Sequence, residues 1–211
     1  MRPVTKCSPC DIHTNRRSFS GSLFALTAVA CRPSQAFGSS PNFSLDLPKS
    51  FVRLSAGGTA SPDVLLSAGD FRGMIAATGA ATTISVQRIY QPTILPSSAE
   101  ASPTAAAALA RLRDSQSGLP SGCISQVIGS TVVLDDRGLG FEFLTPLTGN
   151  GLDPKAASPD LVRHSLVRVA SAADGVVLVL WAGARSADWD AGAGNELREA
   201  ANTFAATPPS R

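Results

Sequence analysis

The sequence predicts an α+β fold: a single domain with a central, mainly antiparallel β-sheet flanked by helices, an α-β-α sandwich. Three observations lead there. Short segments alternate apolar and polar residues with period two, as in "NFSLDLP" and "ISVQRI". Helical patterns are confined to two stretches, one opening at Ser102 and one at Asn195, and two hairpin signals lie between them. The resulting order (strands, helix, hairpin, hairpin, helix) lacks the strand–helix–strand alternation that a parallel sheet requires.

Each element follows from its residues. Phe43, Leu45 and Leu47 alternate with Ser44 and Asp46, which marks a half-buried strand, and Pro48 ends it. "SAGGTASP" reads as a loop. "DVLLSAGDFRGMIAATGAATTISVQRIY" holds two or three short strands broken by glycines. In the last of them Ile84, Val86 and Arg88 alternate with Ser85, Gln87 and Ile89. After a proline-rich connection, Ser102 and Pro103 form an N-cap and first-turn pair, "TAAAALARLRDSQSG" has high helix propensity with Ala105, Leu109 and Leu112 on one face, and Gly118 stops it. "CISQVIGSTVVLDD" and "RGLGFEFLTPL" form a hairpin turning at Asp135, Asp136 and Gly138, with "GLG" as part of the turn. "TGNGLDPKAASPD" is a surface loop. "VRHSLVRVAS" then pairs with "VVLVLWAGA" across "AADG". "NELREAANTFAA" closes the domain as a helix, with Leu197, Ala201 and Phe204 at i, i+4 and i+7.

Composition bounds the function. The 211 residues suffice for one domain, and 16% charged with 44% hydrophobic residues argues against a disordered chain. Of the 18 Lys and Arg and the 16 Asp and Glu, five basic residues and one acid lie in residues 1–36, so the formal charge of +2 becomes −2 for the rest. The body has no basic stripe, which gives a nucleic-acid partner no electrostatic support. Cys7, Cys10 and Cys31 also lie early. The C-x-x-C at 7 and 10 has no second pair, and Cys123 reads as a small buried apolar group.

Residues 1–36 read as a cleavable address. Phe19 to Cys31 is uncharged and too short for a bilayer, which needs about twenty residues, but suits the apolar region of a signal peptide. Arg16 and Arg17 precede it, Phe19 fills the bulky apolar place of a twin-arginine signal, and "RPSQA" offers a small-x-small site with cleavage after Ala36. The basic, hydroxylated "MRPVTKCSPCDIHT" upstream looks like the start of a chloroplast transit peptide. Together they form a two-part address for the thylakoid lumen, with a bacterial export signal as the alternative.

Catalytic motifs do not emerge. The body holds one histidine (His164), one cysteine and one tyrosine, too few for a zinc site of Cys and His. There is no nucleophile elbow, P-loop or dinucleotide fingerprint. The acidic pairs Asp135/Asp136 and Asp188/Asp190 lack calcium-loop spacing and fit a hairpin turn and a helix start. The expectation is a protein that is not an enzyme.

The C-terminal third, "RHSLVRVASAADGVVLVLWAGARSADWDAGAGNELREAANTFAA", resembles the closing segment of the PsbP family. The shared features are Arg163 and His164 opening a strand, Asp174-Gly175 in a turn, the apolar run 176–182, Trp189 before a helix, and Phe204 near its end. "NFSLDLPKSF", "DVLL" and "GSTVVLDDRGLGFEFLTPL" match the family's opening and central strands, so the likeness spans roughly residues 42–206. It implies an antiparallel sheet between helices and a non-enzymatic, peripheral role in the thylakoid lumen. The partner would be the photosystem II core or an assembly intermediate, where the founding member helps retain Ca²⁺ and Cl⁻ at the oxygen-evolving centre. Two departures favour a PsbP-like or PsbP-domain protein over that subunit: only "FGSSP" separates Ala36 from the first strand, and only Lys49 and Lys155 remain after processing. His164 falls on a histidine that binds a divalent metal in the subunit. Its acidic partner maps near Ser186, and Asp188, two residues on, is the substitute ligand for a divalent metal, the alternative for His164 being a surface or strand-edge histidine; Ca²⁺ or another divalent metal is the cofactor the resemblance implies through the photosystem complex. The alternative function is a free lumenal or periplasmic binding protein for a divalent metal or small ligand.

Overall fold

The computed structural model describes residues 43–54, 63–72, 81–90, 94–117, 119, 122–149, 152–172 and 176–207. The targeting residues Arg16, Arg17, Phe19 and Ala36, the helix stop at Gly118 and the turn residues Asp174 and Gly175 lie outside them.

In chain order the elements are β1 (Phe43–Ser44), β2 (Val52–Arg53), β3 (Val64–Asp70), β4 (Thr82–Ile89), α1 (Ser102–Gln116), β5 (Gln126–Val127), β6 (Val133–Asp135), β7 (Gly138–Pro146), β8 (Val162–Ser171), β9 (Val177–Arg185), α2 (Gly194–Thr203) and β10 (Ala205–Ala206). A single helical turn at Ser186–Asp188 and a π turn at Trp189–Ala193 lead into α2. The main sheet runs β2-β3-β4-β9-β8-β7-β5, with β6 also on β7, and every pairing is antiparallel. The predicted α+β sandwich is what forms.

Strand alternation sends the two faces of the sheet to two apolar clusters. On one face Ile84, Val86, Leu178 and Leu180 meet Leu197 and Ala201 of α2. On the other, Phe141, Phe143, Val167 and Val179 meet Ala106, Leu109 and Ala110 of α1. Covered on both sides, β9 buries eight consecutive residues from Val177 to Ala184, which explains a run with no polar alternation. Burying each such Val, Leu or Phe contributes about 1.5–3 kcal/mol, before the entropy cost of ordering it.

Several element ends differ from the sequence reading. Ser102 is not the N-cap of α1. That place is held by Ala101, whose N–H is bonded to the Ser98 carbonyl and hydroxyl, while the Ser102 hydroxyl donates to the Ser98 carbonyl at 3.0 Å. A turn over 98–101 thus supplies the capping that Ser102 was expected to give. The buried stripe of α1 is Ala106, Leu109 and Ala110, with Ala105 and Leu112 at its half-buried margin. "GLG" is strand rather than turn. The hairpin turns at Asp136-Arg137, Gly138 opens β7 at φ +112°, and Gly140 lies under the Arg168 side chain. Helix α2 stops at Thr203. Phe204 is buried against Phe43 with ring centroids 6.1 Å apart, and Ala205–Ala206 pairs with β1 as a strand. Tethering the first described strand to the last satisfies backbone groups that a further helical turn would leave bare.

Candidate functional site

Glu142, His164 and Arg168 of the sheet lie together on the α2 face. In β7 and β8 the register sets Glu142 opposite Leu166 and Leu144 opposite His164, so Glu142 and His164 are diagonal neighbours on one face. Glu142 sits between Phe141 and Phe143, whose rings go to the opposite face. Its carboxylate accepts from His164 Nε2 at 2.8 Å and from Arg198 of α2 twice, Nε to Oε1 at 2.7 Å and Nη2 to Oε2 at 3.0 Å. An ionised carboxylate only accepts, so His164 donates through Nε2–H. The imidazole is stacked on Trp189 with centroids 3.9 Å apart and planes within 9°, and the Arg198 guanidinium lies 4.9 Å from the same indole centroid. Trp189 is buried in the core, so the cluster is bolted to the sheet through the π turn.

Electrostatics favours an ionised Glu142. Burial alone would raise its carboxyl, but hydrogen bonds from His164 and Arg198, together with the charge of the Arg198 guanidinium, take it from 4.5 down to about 2. The acid–cation theme continues along the same face, where Arg168 Nη2 donates to Asp135 Oδ2 at 2.7 Å. Asp135 also accepts from the Arg137 N–H and so closes the β6–β7 turn.

Of the two expected metal ligands, His164 is engaged by Glu142 and Trp189. Asp188 accepts from Arg185 Nε at 3.0 Å and Nη2 at 3.4 Å. Among the described residues no group of three or more His, Cys, Asp or Glu side chains assembles that could hold a metal ion. As arranged, the donor set does not fit a divalent cation, because the carboxylate beside His164 is already neutralised by a bidentate arginine. Sequence reasoning missed Glu142 and Arg198. A lone acid between two phenylalanines in an apolar strand was a readable signal for Glu142. Arg198 carried none, being one polar residue on a solvent-facing stretch of helix.

The α1 face carries a cavity of about 530 Å³. Its walls include Arg113 from α1, Arg163 and Ser165 from β8, Thr83 from β4, and Phe143 and Trp181 below. Burial, with the nearby charge of Arg113, brings the Arg163 guanidinium down to about 10, and burial also lowers Arg113.

An all-antiparallel sheet held between α1 and α2, its one-sided ion cluster anchored on an aromatic turn, defines an α+β sandwich domain. No family model and no curated protein matches the chain. Among solved structures it is similar to the solution structure of cyanobacterial PsbP (CyanoP) from Synechocystis sp. PCC 6803. The TM-score is 0.54, over 89% of this chain and 100% of that one, at 16% sequence identity. The chain therefore has the PsbP-like fold.

Proposed function

We propose that the chain is a non-enzymatic protein of the chloroplast thylakoid lumen, associated peripherally with photosystem II, and that it supports the oxygen-evolving complex or its assembly. The observation that carries this reading is a fold shared with cyanobacterial PsbP along the whole of that chain. The twin-arginine pattern at Arg16 and Arg17, with Phe19 and the small-residue site at Ala36, supports a lumenal destination. Among the described residues no helix is long and apolar enough to cross a membrane, in keeping with attachment from the side. Glu142 is engaged by Arg198 of α2 and by His164, which ties α2 to the sheet and favours action by protein–protein contact.

Rebinding tests it. Photosystem II membranes stripped of extrinsic proteins by a salt wash are mixed with the purified protein and sedimented. Saturable co-sedimentation that reverses at high salt, with recovery of oxygen evolution or of an assembly intermediate, is the expected result. Recovery of the protein in the supernatant at every concentration overturns the association.

A further inference from the structure

The cavity on the α1 face holds two arginines that no carboxylate among the described residues answers. Arg163 donates to the Thr83 hydroxyl at 2.6 Å, the Gly183 carbonyl at 2.7 Å and the Ala81 carbonyl at 3.4 Å, all neutral acceptors. Arg113 lies with its guanidinium 5.5 Å from the Trp181 ring centroid. Among the described residues neither forms an ion pair, whereas Arg168, Arg185 and Arg198 each meet a carboxylate. The acid in the cavity wall, Asp114, is turned to Ser125, accepting from its N–H at 3.0 Å and its hydroxyl at 2.6 Å. A buried cation without a counter-ion is costly, and packing alone would be served as well by an apolar side chain.

The backbone is shaped to keep Arg163 there. A Cβ at Gly183 would stand 2.8 Å from the Ser165 hydroxyl, 2.9 Å from the His164 carbonyl oxygen and 3.0 Å from Arg163 Nε, so glycine leaves room for the β8 backbone and for the guanidinium alike. A volume of about 530 Å³ falls in the range of small-ligand sites. Its lining combines polar groups (Arg113, Arg163, Thr83) with the apolar Phe143, Leu147 and Trp181.

We propose that this cavity binds a small organic anion, its carboxylate or phosphate head held by Arg113 and Arg163 and its flat or apolar body laid on Trp181 and Phe143. The planar Arg113 guanidinium suits bidentate oxyanion recognition, while Arg163, whose Nη2 hydrogens go to Thr83 and Gly183, adds its charge and a single N–H. An anion would supply the countercharge that the fold withholds. The site lies on the opposite face of the sheet from the Glu142 cluster, and it requires neither photosystem II nor a metal.

The sequence holds two tryptophans, so in the full chain carrying Trp189→Phe the emission reports Trp181 alone. This protein is titrated with benzoate, phenyl phosphate and, as the neutral control, benzyl alcohol. At least one anion is expected to change Trp181 emission saturably at a concentration at least tenfold below benzyl alcohol, and the tighter of the two identifies the head group. Arg113→Gln and Arg163→Gln are each expected to weaken that anion at least tenfold, with far-UV circular dichroism unchanged. Should Arg163→Gln fail to fold, Arg113→Gln, on the partly exposed α1, decides alone. Anions no tighter than benzyl alcohol, or folded arginine variants with parental affinity, overturn the proposal.

Discussion

Replacing Glu142 by Gln removes one charge from the centre of the α2 face while keeping the size of the side chain. The carboxyl titrates near 2 instead of 4.5, and each tenfold change in proton affinity is worth about 1.4 kcal/mol, which sets an upper figure of about 3 kcal/mol. The Arg198 side chain is 44% exposed, and solvent screening reduces the figure to about 2 kcal/mol. The sign follows from linkage: a carboxyl depressed in the folded state stabilises fully above pH 4.5 and loses that stabilisation as the pH falls through 2. Urea unfolding of both proteins between pH 7 and pH 2.5 measures it. The variant is expected to be about 2 kcal/mol less stable at pH 7, and the difference should shrink steadily below pH 4.5 because the unfolded carboxyl takes up a proton there while the folded one stays ionised down to about 2. Comparing the two proteins cancels the other carboxylates, such as Asp70 and Asp135, that are also held below their usual range. A difference under about 1 kcal/mol at pH 7, or one that stays flat to pH 2.5, would refute the claim that His164 and Arg198 act through an ionised Glu142.

Two further predictions probe the frame around this cluster. Gly138→Ala forces φ +112° on an L-residue and sets a Cβ 2.0 Å from the Val169 carbonyl oxygen. It should cost more than about 2 kcal/mol, while Gly129→Ala, with nothing within 4 Å, should stay within about 0.5 kcal/mol; equal melting temperatures would contradict the turn geometry. Phe204→Ala removes the ring packed on Phe43 and should cost about 3–5 kcal/mol. It should also speed tryptic cleavage at Lys49 and Arg53, since β1 loses its anchor, and an unchanged cleavage rate would show that β1 is held by something else.

How legible the fold was depended on the range of the interactions that set each element. The β8–β9 hairpin was legible because its apolar run and turn residues are local. Ile84 and Val86 announced a buried strand face by simple alternation, and both are fully buried. The ends of the helices were not legible, since tertiary contacts decide them: Phe204 leaves α2 to reach Phe43, 161 positions earlier, and β10 exists only because β1 is there to pair with it. Glycines misled in the same way. "GLG" has turn composition, but Gly140 is glycine because Arg168 lies over it, a fact of the folded sheet.

The candidate site was half legible for the same reason. His164 stood out as the histidine of the body, but the acid that meets it lies 22 positions away on β7 and the arginine 34 positions away on α2. Only the sheet register shows that Glu142 and His164 share a face. Arg163, one residue from His164, belongs to the other face by the period-two rule, and its lack of a carboxylate partner among the described residues is visible only once the cavity is formed.

A lumenal protein at photosystem II is the central claim, and one measurement reaches it most directly. Thylakoid membranes are fractionated, run on a native gel and probed for this protein, and its mature N-terminus is sequenced. An N-terminus near Phe37 and migration with photosystem II or an assembly intermediate are the predicted result. A processed protein that runs free contradicts the association and leaves the lumenal address standing, whereas an intact N-terminus in the stroma contradicts both.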